Sequence, residues 1–179
     1  MKKDNSFSAV MARKSEIIKA AVGVDYAQFE SGSIAFDYEA MMASTGYSLE
    51  DVIGIQRSYA IGNTPLIELK NITALVQKIS KSGCGARIFI KDEAANPSGS
   101  FKVRRAATSV YQAKRMGYPG AIAATSGNYG AAVASCCAKS GLSCIVVQEC
   151  YDSRGVGQPE IIEKARKCEA LGAEVVQLT

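Results

Sequence analysis

From residue 87 onward the chain repeats one unit three times: a helix-like stretch with one apolar face, a glycine, then a short apolar run. The first helix is predicted over about 101–116, with Val103, Ala107 and Val110 on its apolar face. Gly117 ends it and a strand over 121–124 follows. The second runs over about 129–140, closes at Gly141 and leads to a strand over 144–148. Pro159 suits the first turn of the third; Ile161, Ala165 and Cys168 share its inner face, Gly172 ends it, and 175–178 forms the last strand. A further strand, 88–90, precedes the series. Helices alternating with strands in this rhythm specify crossover connections, hence an α/β fold with a parallel, doubly wound sheet in three αβα layers. The sequence stops at Thr179 on an apolar strand. The expected sheet is therefore incomplete at its carboxyl end, and the chain is expected to be the amino-terminal part of a longer protein or to be completed by another chain.

Residues 1–60 read differently, as a helical amino-terminal extension, with breaks at Ser31-Gly32-Ser33 and Ser44-Thr45-Gly46. Ser48-Leu49-Glu50-Asp51 has the form of a capping box and opens a helix through about Tyr59. Gly62-Asn63-Thr64-Pro65 is then a turn before a strand over 66–69. The α/β domain is expected over 61–179.

Several function classes drop out on composition. The chain has no histidine, which removes Ser-His-Asp and Cys-His catalysis, histidine metal ligands and histidine bases, leaving lysine, carboxylates, tyrosine or a cofactor. Twenty-one basic against 17 acidic residues give +4, interleaved along the chain, which is no nucleic-acid footprint. No apolar run has the length of a signal peptide or a membrane span, so a cytoplasmic location is expected. The six cysteines lack a paired C-x-x-C spacing and read as reduced thiols, with no metal site expected at Cys136-Cys137.

Two loops carry the chemistry, each between a strand-like and a helix-like run: Asn96-Pro97-Ser98-Gly99-Ser100-Phe101-Lys102, and Thr125-Ser126-Gly127-Asn128-Tyr129-Gly130. Open α/β sheets build their sites at such carboxyl ends of strands. The first loop delivers Lys102 at a helix start, where the macrodipole disfavours a cation and a neutral, nucleophilic amine is favoured. Taken by itself, Lys102 stays open between a covalent lysine and a solvated surface charge. In the second loop small residues let backbone N–H groups converge on an anion; the alternative is an ordinary turn with Asn128 as N-cap. Tyr129 either stacks on a flat ring or packs beneath the loop. Arg104-Arg105 reads as a solvated helix face, contact with an anionic substrate or cofactor tail being the alternative. Gly155-Val156-Gly157 is followed by Glu160 where a dinucleotide fingerprint needs its third glycine, and no P-loop occurs.

The paired loops resemble those of the fold-type II pyridoxal-phosphate enzymes, the superfamily of tryptophan synthase β, cysteine synthase and threonine synthase, over about residues 63–179. The resemblance implies a tryptophan synthase β-like fold and pyridoxal 5'-phosphate as cofactor. It implies that Lys102 holds the cofactor aldehyde and carries the proton at the substrate α-carbon, that Asn128 hydrogen-bonds the ring hydroxyl, and that Thr125, Ser126, Gly127 and Tyr129 hold the substrate carboxylate. The family's glycine-rich phosphate loop, the residue facing the pyridine nitrogen and its second domain belong to a later segment that is absent from these 179 residues. Within the superfamily, the run from Lys91 to Lys102 is most similar to the β subunits of 2-amino-4-ketopentanoate thiolases. These cleave their substrate with coenzyme A to alanine and acetyl-CoA, in ornithine breakdown, beside a smaller α subunit. The expected assembly is a homo- or hetero-oligomer. Two alternatives stand: β/γ-replacement or elimination, as in cysteine and threonine synthases or ammonia-lyases, and a non-catalytic α/β binding fragment.

Overall fold

The computed structural model describes residues 4–32, 34–125 and 127–178, and its contacts divide the chain into two units, Met1–Val52 and Ile53–Thr179. In the first unit, α1 (Phe7–Ala12) and α2 (Lys14–Val22) lead through a 3-10 turn to the short antiparallel pair β1 (Glu30–Ser31) and β2 (Ala35–Phe36), then α3 (Tyr38–Ser44). Phe36 gathers the rings of Tyr26, Phe29 and Tyr38 at centroid separations of 5.6, 6.2 and 4.8 Å. Side-chain caps open both ends of the ring cluster: Asp25 accepts from the Ala27 N–H and Asp37 from the Ala40 N–H.

α4 (Leu49–Ser58) spans the boundary and starts as its sequence requires. Ser48 Oγ accepts from the Asp51 N–H at 3.1 Å while the Asp51 carboxylate accepts from the Ser48 N–H at 2.8 Å, a reciprocal capping box. In the second unit, β3 (Leu66–Glu68), α5 (Lys70–Ile79) and β4 (Phe89–Lys91) come first. Two features here differ from expectation. α5 carries Ile72, Leu75 and Ile79 at helical spacing in a stretch for which sequence reading assigned no element. And β4, expected to lead the parallel series, pairs antiparallel with β3 in a sheet of its own. The reason is local: the pair is tied by the bidentate Arg87 to Glu68 ion pair and by Thr73 Oγ1 accepting from the Ile88 N–H, contacts that periodicity cannot register.

The parallel sheet has the order β5 (Gly120–Ala124), β6 (Ser143–Glu149), β7 (Glu174–Leu178), all pairs parallel, with α7 (Asn128–Ser140) and α8 (Pro159–Ala170) as the crossovers and α6 (Lys102–Arg115) before β5. Strand alternation sends Ala123, Cys144, Val146 and Gln148 into the core, with Val103, Ala106, Ala107 and Val110 of α6, much of α7, and Ile161, Ala165 and Cys168 of α8 also buried. The same alternation turns Ile122, Ile145, Val147 and Val176 to the other face, where Ile122 is 73% exposed. Gly130 sets the spacing of α7 on the sheet: a Cβ there would lie 2.8 Å from both Thr125 Cγ2 and Val146 Cγ1. Behind it lies Cys168, one of four buried thiols with Cys136, Cys137 and Cys144; among the described residues all six cysteines are free. Burial pushes the Cys136 thiol up to about 12 and that of Cys168 up as well, so both are neutral packing groups. No helix among the described residues is long and apolar enough to cross a membrane.

Candidate active site

The first loop is held from three sides. Asn96, Ser98 and Ser100 are buried, and Gly99 sits between them at φ 74°, a conformation that suits glycine. The Gly99 N–H closes a tight turn on the Asn96 carbonyl at 2.7 Å. Asn96 donates through Nδ2 to the Glu93 carbonyl and carboxylate, and its Oδ1 accepts from the Gly62 N–H, which joins the loop to the turn at residues 62–65. From α8, Lys167 Nζ donates to the Ser98 carbonyl at 2.7 Å and fills the space a side chain on Gly99 would need.

Glu93 is the node of this network. Arg104, in the first turn of α6, grips it with Nε at 2.7 Å and Nη2 at 2.9 Å, Thr64 Oγ1 donates at 2.8 Å, and Arg104 Nη1 reaches Gln56. These donors, Arg104 first and Thr64 next, hold the Glu93 carboxyl at about 2. Arg104 is therefore a structural clamp, and the sequence reading of it as a solvated face is corrected. The two arms of the clamp are eleven residues apart and meet only because the loop folds back, so no helical spacing reveals them.

Lys102 is the first residue of α6, exposed, with Nζ 4.8 Å from the centroid of the neighbouring Phe101 ring. Two residues before it, Ser100 Oγ is buried without a hydrogen-bond partner among the described residues.

The second loop leaves β5 with the Thr125 N–H still on the ladder, donating to the Val147 carbonyl at 2.8 Å. Thr125 Oγ1 then accepts from the Gly127 N–H at 3.0 Å, so one of the donors that small residues were expected to free is already engaged. Ser126 lies outside the described residues. Gly127 is the N-cap of α7 and lends no side chain to the cap; Asn128 is the first helical residue, so the N-cap alternative for Asn128 does not hold. Asn128 is exposed, the leading N–H groups of α7 have no acceptor within the helix, and the ideal Cβ position of Gly127 has nothing within 4 Å. Tyr129 has the Arg105 guanidinium over its ring, 5.1 Å from the centroid. That contact ties the helix bearing Lys102 to the second loop. Lys167 and Glu93 carried no site role in the sequence reading, and Arg105 entered it only with Arg104, as a solvated face or, alternatively, a contact to an anionic substrate or cofactor tail.

Lys102 and Asn128 are thus both exposed at helix starts, α6 and α7, and the Arg105–Tyr129 contact links those two helices. The profile of the pyridoxal-phosphate dependent enzymes matches residues 57–179, and the chain belongs to that family. Over all 179 residues it is 69% identical to the 2-amino-4-ketopentanoate thiolase beta subunit of Acetoanaerobium sticklandii, an alignment covering 100% of this chain and 38% of that subunit. A hydrogen sulfide-producing enzyme from Fusobacterium nucleatum shares 30% identity at a TM-score of 0.50, covering 71% of this chain and 36% of that one. Maize serine racemase, at 22% identity, shares the fold with a TM-score of 0.53 over 72% of this chain and 36% of its own. The chain thus spans 38% of the length of the thiolase subunits it matches.

The residues present fit the family's cofactor on their donor chemistry. Lys102 offers a primary amine for an aldehyde, Ser100 Oγ is a buried hydroxyl awaiting a partner, and the glycine at position 127 leaves the approach to α7 open.

Proposed function

We propose that this chain supplies the lysine-bearing part of a pyridoxal-phosphate-dependent thiolase subunit. The proposed reaction joins 2-amino-4-ketopentanoate and coenzyme A to give alanine and acetyl-CoA, beside a smaller companion subunit in the cytoplasm. The single observation that carries this reading is the 69% identity to a thiolase beta subunit, which extends through residues 1–56, outside the span of the family profile.

Pyridoxal phosphate, when bound, supplies an electron sink for carbanionic character at the substrate's α- and β-carbons. The chain's residues do the rest. Lys102 holds the cofactor aldehyde and moves the proton at the α-carbon. Asn128 addresses the ring hydroxyl, while Thr125, Ser126, Gly127 and Tyr129 form the pocket for the substrate carboxylate. The bond between the β-carbon and the ketone carbon breaks, the acetyl group forms a thioester with the coenzyme A sulfur, and the β-carbon gains a proton. The 30% identity to a hydrogen sulfide-producing enzyme supports a second reading, β-replacement or elimination on the same loops.

Incubating the complete subunit and its companion with substrate, coenzyme A and cofactor tests the choice by mass spectrometry. Acetyl-CoA and alanine in equal amounts are expected; ammonia or a replacement product without acyl-CoA selects the second reading. Borohydride reduction with added cofactor should label the peptide containing Lys102. Absence of label, or label on another lysine, removes the assignment of Lys102 and favours a non-catalytic binding chain.

A further inference from the structure

α6 presents two neighbouring arginines with opposite fates. Arg104 is occupied by Glu93 and Gln56. Arg105 is exposed, forms no ion pair with a carboxylate among the described residues, and has its guanidinium over the Tyr129 ring. A cation–π contact uses the guanidinium's charge and not its N–H donors as hydrogen bonds, and those donors match the two oxygens of a carboxylate. The platform also restricts a side chain that is otherwise costly to order, so less freedom is lost when an anion binds.

Position decides which anion. Arg105 is three residues after Lys102, so the two share a face of α6 with Cβ atoms about 5–6 Å apart. Arg105 also touches Tyr129 in the first turn of α7, a helix start whose leading N–H groups have no acceptor within the helix. A ligand whose nitrogen end lies at Lys102 and whose acid is one carbon away meets Arg105 and the second loop together. We propose that Arg105, held over the Tyr129 ring, binds the α-carboxylate of the amino substrate, and that Tyr129 is its positioning platform. The assignment rests on the reading of Lys102 as the cofactor lysine and adds a charged partner to the carboxylate pocket.

The test uses the complete subunit loaded with cofactor, and follows its visible spectrum during titration with L-alanine or with L-alaninamide, which keeps the amine and the size but not the charge. Arg105→Met should raise the Kd for L-alanine about 10- to 100-fold, as loss of a charge-assisted hydrogen-bonded pair does, while leaving the Kd for L-alaninamide and the Tm within about 2-fold and 2 °C of the parent. Arg105→Lys should lie between, and Tyr129→Ala should weaken L-alanine more than Tyr129→Phe, which keeps the ring under the guanidinium. Equal weakening of both ligands, no weakening of either, or a loss confined to coenzyme A overturns the proposal. A parent subunit that takes up cofactor on another lysine fails the underlying reading, and a parent with the Lys102 label but no alanine discrimination fails this one alone.

Discussion

Among single residues, Gln148 and Gly130 show how packing and polarity compete around the second loop. Gln148 is completely buried on β6 with neither Oε1 nor Nε2 hydrogen-bonded among the described residues, an arrangement whose desolvation is uncompensated there. Gln148→Met keeps the length and removes both unpaired atoms, so it should stabilise the fold by about 1–2 kcal/mol, read as a higher denaturant midpoint at unchanged m. A midpoint that falls would mean the amide is satisfied in solution. Gly130 makes the converse point. Sequence reading valued it for letting N–H groups converge, but its tertiary role is contact: Thr125 and Val146 occupy the volume a methyl would need. The residue type was legible, its reason was not, because the reason lies on β6, sixteen residues away.

Elements enter where one helix or loop is held by another. Lys167 of α8 donates to the Ser98 carbonyl of the first loop across 69 residues of sequence. Lys167→Met should leave α8 intact, since methionine is a good helix former, and should speed amide exchange in residues 96–101 about 10-fold. Unchanged exchange there would show the loop is held without it. The Glu93 clamp binds the turn at 62–65, the first loop and α6 together, and it gives stability a pH dependence. The folded carboxyl is held at about 2, below its ordinary 4.5, so the unfolded chain takes up the proton first on acidification. The clamp's stabilisation is then fully present above about pH 4.5 and is lost as pH falls toward 2. Glu93→Gln should flatten the acid limb of a stability-against-pH curve in that window; an unaltered limb would assign the acid sensitivity to other carboxylates. Helix positions were legible for α6, α7 and α8 because each carries an apolar face closed by a glycine or opened by a proline. β4 was legible as a strand but not its partner: pairing direction is a property of two segments, and the antiparallel choice rests on Glu68, Arg87 and Thr73.

At the level of the molecule, contacts separate Met1–Val52 from Ile53–Thr179, and the family profile begins at residue 57. A chain starting at Tyr47 keeps the Ser48–Asp51 cap of α4 and all of the second unit, and should retain its cooperative unfolding and the acid limb set by Glu93. Loss of the transition on removing residues 1–46 would show that the second unit does not fold alone. By itself the sequence determined the alternation of helix and strand, the parallel sheet over residues 120–178, and the two loops with Lys102 and Asn128 at helix starts, since period and glycine placement are local properties of the chain. Only the tertiary structure decided that Arg104 is spent on Glu93, that Arg105 lies over Tyr129, that Lys167 reaches the first loop and that Gln148 is buried without partners among the described residues. Each of these depends on which distant segments share a few ångströms of space, and a charge or an amide carries no mark in sequence of the partner it will meet.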